Sequence, residues 1–181
     1  MRIISGKYKG KAIFMPKGIR PTQNKVRKAV FDILGDIEGI SFLELFAGTG
    51  AVGFEAKSRG VKELVLVENN RECIQAIKKS LAALKLFDCS LLTLEAEKCL
   101  EILKKHQKSF DVIFLDPPYC KDMVKKILQT IGACDILANN GLLVVQHYKK
   151  DDLPDTQGGL ILCKHSHYGD TELTFYRRKN L

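Results

Sequence analysis

No acidic residue occurs among the first 31 of the 181 residues, whereas nine basic ones do: Arg2, Lys7, Lys9, Lys11, Lys17, Arg20, Lys25, Arg27 and Lys28. The rest of the chain holds 20 basic and 21 acidic residues, so the formal charge of +8 belongs to the N-terminal segment. Charge separated this completely points to a polyanionic partner, nucleic acid above all, rather than to a solvated arm. Other absences narrow the class. No apolar run approaches the ~20 residues of a membrane-spanning helix, and "MRIISGKYKGKA" lacks the apolar stretch of a leader peptide. A soluble cytoplasmic protein with no membrane partner is expected. The six cysteines (Cys73, Cys89, Cys99, Cys120, Cys134 and Cys163) form no C-x-x-C pair. Several fall where the pattern wants small apolar residues, so free thiols in a reducing compartment are expected. His165 and His167 share a strand face, but a zinc site takes about four ligands, and no metal is expected. There is no repeat and no low-complexity stretch.

What is present divides into a basic hairpin-like extension over 1–20 and one domain over 21–181. Gly6, Gly10, Pro16 and Gly18 punctuate the short alternating runs "RIIS" and "KAIF". "PTQNKVRKAVFDILG" reads as a helix with Thr22 as N-cap. Val26, Ala29, Val30, Ile33 and Leu34 repeat at helical spacing, and Gly35 ends it. Arg27 and Lys28 lie off that stripe and are expected to face solvent or phosphate.

From residue 40 the pattern alternates. Strands are expected at 40–46, 63–68, 89–94, 111–116 and 141–148, with helices at about 51–59, 71–84, 96–106 and 121–131. Strands this continuously apolar are buried on both faces, which gives an α/β fold with a mostly parallel, Rossmann-like sheet. "GLILCKHSH" and "ELTFYRR", joined around "YGD", read as an antiparallel C-terminal edge hairpin.

Two motifs fall where strands end, and open parallel sheets bind ligands at their carboxyl ends. "ELFAGTGAVG" places Gly48-x-Gly50-x-x-Gly53 between a strand and a helix, with Glu68 at the tip of the next strand. Glycines there admit backbone N–H groups to a ligand, and the acid suits ribose hydroxyls. The loop says nucleoside cofactor without choosing among NAD, FAD and S-adenosylmethionine. The choice comes from "VIFLDPPYC". Asp116 is held extended by the following proline, and Pro117 and Pro118 fix φ and remove two donors. This stiff corner presents the Asp116 carboxylate and the Pro117 carbonyl beside the ring of Tyr119. Two acceptors and a stacking face suit the exocyclic amine of a base, whose lone pair they could turn out of conjugation.

"LFAGTG" followed by "DPPY" resembles the S-adenosylmethionine-dependent amino methyltransferases. More narrowly, the whole chain is similar to the RsmD family, bacterial enzymes that methylate N2 of a guanine in small-subunit ribosomal RNA. "MRIISGKYKGK", "RPTQNKVRKAVFDIL", "LELFAGTGAVGFEAKSRG", "VIFLDPPY" and "YGDTELTFYRR" carry that match. It implies a class I S-adenosylmethionine-dependent methyltransferase. Glu44, Gly48 and Gly50 would lie at the methionine end of the cofactor, Glu68 at its ribose, and Glu95 and Ala96 by the adenine. Phe46 and Asn69 complete the expected cofactor contacts. Asp116, Pro117 and Tyr119 would hold the target base, with Arg20 and Thr22 at the entrance. Arg2, Lys7, Lys9, Lys11 and Arg27 would meet RNA within a ribonucleoprotein particle, on a monomeric enzyme. Glu44 and Glu95 stand where relatives more often carry Asp, and Gln146 stands where the resemblance implies an acid. The expected reaction is one in-line transfer to the amine. A methyltransferase for adenine N6 on DNA or RNA shares both motifs. A glutamine methyltransferase would not need the cationic arm, and an NAD-dependent oxidoreductase leaves "DPPY" idle. An RNA-binding module with a decayed pocket would not keep both motifs intact. A thiolate mechanism through Cys120 lacks any activating neighbour.

Overall fold

The computed structural model describes residues 1–19, 22–118 and 121–179. Chain order is α1 (Asn24–Leu34), β1 (Ser41–Leu45), α2 (Ala51–Ser58), β2 (Glu63–Val67), α3 (Arg71–Leu84), β3 (Cys89–Leu92), α4 (Ala96–Lys105), β4 (Phe110–Leu115), α5 (Lys121–Cys134), β5 (Leu137–Tyr148), β6 (Thr156–Gln157), β7 (Leu160–Tyr168) and β8 (Thr171–Arg178). The strands form one sheet in the order β3-β2-β1-β4-β5-β8-β7-β6. The first five are mutually parallel, and β8 turns the sheet antiparallel at β5. The expected C-terminal hairpin is there, with β8 inserted between β5 and β7. The two-residue edge strand β6 and the early start of β5, four residues before the expected boundary, were not expected. The extra length of β5 is absorbed by a register shift between Phe110 and Val112 of β4.

Strand alternation explains the two cores. Phe42, Leu64, Leu66, Val112, Phe114 and Val144 point to one face, where they meet Val30, Phe31, Phe54 and Ile77 of α1, α2 and α3. Their neighbours Leu43, Leu45, Val65, Val67, Ile113, Leu115, Leu143 and Val145 point to the other face, against Leu100, Leu103, Ile127 and Leu128 of α4 and α5. The same parity carries on along β1 and β5 and just past the ends of β2 and β4. Glu44 follows Phe42, Glu68 follows Leu66, Asp116 follows Phe114 and Gln146 follows Val144. A period of two thereby gathers four polar side chains from four adjacent strands on the α1–α3 face.

Residues 1–13 pair with themselves through an antiparallel bridge between Arg2 and Ala12. This basic segment is bolted to the body. Ile3 and Ile13, 2% and 3% exposed, join the core beside Phe31 and Phe54. Ser58 Oγ accepts from Tyr8 N at 2.8 Å, and Ser80 Oγ accepts from Phe14 N at 3.0 Å. Cys73, Cys99 and Cys134 are buried free thiols as expected, whereas Cys163 is exposed; Cys120 lies outside the described residues. His165 and His167 do share a strand face, and both lean on Glu172, at 2.8 and 3.3 Å. Among the described residues no helix is long and apolar enough to cross a membrane.

Candidate active site

Winding reverses between β1 and β4, and both motifs lie at the carboxyl ends of these neighbours. The loop after β1 turns through Phe46, Gly48 and Gly50, at φ 56°, 55° and 70°. Phe46 is not glycine, so its left-handed backbone stores strain of the kind that collects at functional sites. A Cβ on Gly48 would meet nothing within 4 Å, so the loop backbone borders open space. Gly53 faces inward instead, and a Cβ there would come within 2.6 Å of Glu44 Oε2 and 2.5 Å of Leu66 Cδ2. That close approach lets Gly53 N donate to Glu44 at 2.8 Å, so Glu44 ties β1 to the first turn of α2. Glu68 does the same for the next connection. Its carboxylate accepts from Gly48 N at 2.6 Å, Asn69 N at 2.9 Å and Asn70 N at 2.8 Å, coupling the tip of β2 to the glycine loop.

Burial dominates the electrostatics here. Glu44 is 3% exposed, and loss of water pushes its pKa up to about 8. The Gly53 hydrogen bond works against that rise, and the nearby Asp116 and Glu68 carboxylates add to it. A carboxyl whose folded pKa lies above its unfolded value holds its proton more tightly when folded. The folded state is therefore penalised as pH climbs from 4.5, in full only above about 8. Glu44→Gln keeps an acceptor for Gly53 N–H and removes the titration. Its Tm should match wild type near pH 4.5 and exceed it increasingly up to pH 8, by roughly 3–5 kcal/mol of stability at the top. A difference independent of pH would mean that Glu44 is ionised throughout.

Asp116 projects from the end of β4 and is partly buried. Its Oδ2 accepts from Gln146 Nε2 of β5 at 2.9 Å and from Thr22 Oγ1, ahead of α1, at 3.4 Å. Oδ1 takes no hydrogen bond among the described residues. Desolvation raises the pKa to about 7, and the two donors pull the other way. Thr22 was expected to cap α1. The residue at the cap position is Gln23, without a side-chain bond, and the threonine hydroxyl serves Asp116 instead. This brings Thr22 to the corner across 94 residues of chain.

Of the expected cofactor contacts, Glu44, Phe46, Gly48, Gly50, Glu68 and Asn69 sit together around the β1 and β2 ends. Ala96 opens α4 and is buried, while Glu95 before it is exposed and paired with Lys98 at 3.1 Å. Pro117 is buried and Pro118 exposed. Tyr119 and Arg20 lie outside the described residues. Lys7, Lys9 and Lys11 are exposed, as is Arg2, whose Nη1 donates to Gly10 O at 2.6 Å and closes the hairpin. Arg27 corrects an expectation. It is fully buried, donating from Nη2 to Arg2 O at 2.6 Å and lying 3.9 Å from Glu55, so it offers no surface to phosphate. The helical stripe hid this because the N-terminal hairpin covers the helix flank that carries Arg27. Gln146 drew attention only as a departure from an expected acid. Its level beside β4, readable from strand order, was the signal for its contact with Asp116.

The chain and its fold are matched by known proteins. A model of the family described as Conserved hypothetical protein 95 matches residues 1–177. YlbH of Bacillus subtilis strain 168, named as a candidate rRNA methyltransferase, is 34% identical, with 99% of this chain and 100% of its own length covered. Ribosomal RNA small subunit methyltransferase D of Escherichia coli K12 is 28% identical, with 99% and 90% covered. The solved structure of a hypothetical protein from Thermus thermophilus superposes with a TM-score of 0.86 at 34% identity, over 98% of this chain and 99% of that one. The fold is that of the class I S-adenosylmethionine-dependent methyltransferases. Matched by one family model along nearly its whole length and by YlbH from end to end, the chain belongs to the RsmD family.

Proposed function

We propose that this protein is an S-adenosylmethionine-dependent methyltransferase that modifies N2 of a guanine in small-subunit ribosomal RNA, within a ribonucleoprotein particle and as a monomer. The observation that carries the reading is the Asp116 corner. A carboxylate fixed through Oδ2 keeps Oδ1 open, one strand away from the glycine loop and on the same sheet face as Glu44 and Glu68. The pocket fits the cofactor on its own chemistry. Gly48 leaves the loop backbone open, Glu68 retains lone-pair capacity beside three N–H donors, and the loop follows a strand and opens a helix. When bound, S-adenosylmethionine supplies an electrophilic methyl group for in-line attack by the amine. The chain's own residues position that amine. Asp116 Oδ1 and the Pro117 carbonyl draw on its hydrogens, orienting the lone pair, and the developing positive charge meets a carboxylate in a partly dry site. A guanine in a helix is out of reach, so the base is unstacked at a cost of about a few kcal/mol.

Incubating undermodified small ribosomal subunits with labelled S-adenosylmethionine, followed by nucleoside analysis, tests this directly. N2-methylguanosine is expected. N6-methyladenosine would transfer the same site to adenine, and no label in any RNA would overturn the reading.

The arm gives a separate prediction. With Lys7, Lys9, Lys11 and Lys17 exposed, four phosphate contacts should cost RNA affinity about a hundredfold between roughly 50 and 200 mM salt. Replacing all four by Ala should flatten the log–log slope by about three. An unchanged slope would remove the arm from RNA binding.

A further inference from the structure

The least explained polar atom near the corner is Gln146 Oε1. It is buried and without a hydrogen-bond partner among the described residues, on a residue only 8% exposed, although the same amide donates from Nε2 to Asp116. An orphaned buried carbonyl is destabilising, so its presence asks for a state in which it is used. A second observation supplies that state. Gln146 meets a carboxyl group whose pKa burial raises to about 7, and an amide, like the Thr22 hydroxyl at 3.4 Å, can serve both of its forms. Towards the ionised form the amide presents N–H. Towards the protonated form, after a half-turn about its last bond, it presents the carbonyl oxygen to the O–H. Resting on the role given to Asp116 under Proposed function, we infer that Gln146 is a positioning residue whose amide holds Asp116 in its ionised, Oδ1-open form and turns over to hold the protonated form.

The surroundings leave this task to Gln146. Thr22 also reaches Oδ2, but at 3.4 Å and as the longer of the two bonds. From β1, Glu44 lies close enough to sense Asp116, yet with its pKa near 8 it is mostly protonated at neutral pH. From β2, Glu68 is held by three backbone N–H groups, and from α1 the buried Arg27 is engaged with Arg2 O, Asn24 and Glu55. No described cation contacts Asp116, and Gln146 gives the shorter of its two described hydrogen bonds. An acid at position 146 would disfavour the ionised form. Two carboxyl groups at hydrogen-bond distance share one proton, and the pair then titrates over a wider, higher range.

The test reads Asp116 in the free protein by carboxyl 13C NMR, assigned with Asp116→Asn, and then the pH profile of methyl transfer. In Gln146→Glu the Asp116 titration should rise by about one unit or more, and the rising limb of the rate profile should move with it. In Gln146→Met, which keeps the length and loses the donor, the midpoint should also rise. The maximal rate should fall about tenfold, with affinity for S-adenosylhomocysteine unchanged. In wild type the side-chain 15N and 1H shifts of Gln146 should titrate at the Asp116 midpoint, a readout that needs no variant. Asp116 midpoints within about 0.3 unit of wild type in both variants, or Gln146 shifts flat across that range, would overturn the inference. If Asp116 titrates as expected and no RNA is ever methylated, the inference stands and the proposed reaction fails. If methylation requires Asp116 while Gln146 changes neither titration nor profile, the reverse holds.

Discussion

Asp116→Ala should bind S-adenosylhomocysteine as wild type does and lose about 10²–10³-fold in single-turnover methyl transfer, the order seen when one preorganised polar group is removed from an active site. The two halves of this expectation come from separate structural facts. The proposed cofactor side is built from Glu44, Gly53, Gly48 and Glu68, whose hydrogen bonds do not pass through Asp116. The proposed substrate side depends on Oδ1, which takes no hydrogen bond from the described residues while Thr22 and Gln146 both engage Oδ2. Asp116→Asn probes the same point at constant volume. Its amide can present one oxygen but also an NH2 group that opposes the amine of a base, so it should fall near the alanine variant. Transfer at full rate in Asp116→Ala would sink the catalytic assignment. Loss of cofactor affinity in step with rate would instead mean that the corner shapes the cofactor pocket.

Much of this site was legible in the sequence because it follows from strand ends. Continuous apolar runs separated by helical spacing define a parallel sheet, and such a sheet places the residues after its strands at one edge. Glu44, Glu68 and Asp116 could therefore be brought together before any coordinates. What the sequence hid were contacts whose two ends lie far apart in the chain and whose residues have another local use. Thr22 stands where a helix cap belongs, and only the folded chain shows its hydroxyl turned to Asp116. Gln146 sits in an apolar strand with nothing local to mark a partner 30 residues away. Ser58 and Ser80 look like ordinary helix serines, yet each holds the backbone of the N-terminal segment. The register shift in β5 and the edge strand β6 leave no periodic trace, since each involves only a few residues.

Arg27 is where local pattern and fold disagree most, and the disagreement has a measurable size. A lysine or arginine off the apolar stripe of a helix is ordinarily solvated, and counting this one among phosphate contacts follows that habit. In the folded chain it is fully buried opposite Glu55, itself fully buried in α2. Glu55 in turn accepts from Ile4 N at 2.7 Å and Ser5 N at 2.9 Å, with Arg59 Nε at 3.1 Å. One charge pair thus joins α1, α2 and the N-terminal hairpin, and burial lowers the Arg27 pKa although Glu55 resists the change. Arg27→Met should remove the donor to Arg2 O and Asn24 Oδ1 and one of the two cations facing the buried Glu55, the other being Arg59. The expected cost is about 3–5 kcal/mol, or a Tm lower by roughly 6–20 °C. Adding Glu55→Gln should recover little of that loss, because Glu55 keeps Arg59 and two backbone N–H donors and is not left orphaned. RNA affinity per folded molecule should keep the wild-type salt slope. A stable Arg27→Met protein whose slope falls by about one would return Arg27 to the phosphate contacts and make its burial a property of the RNA-free protein alone.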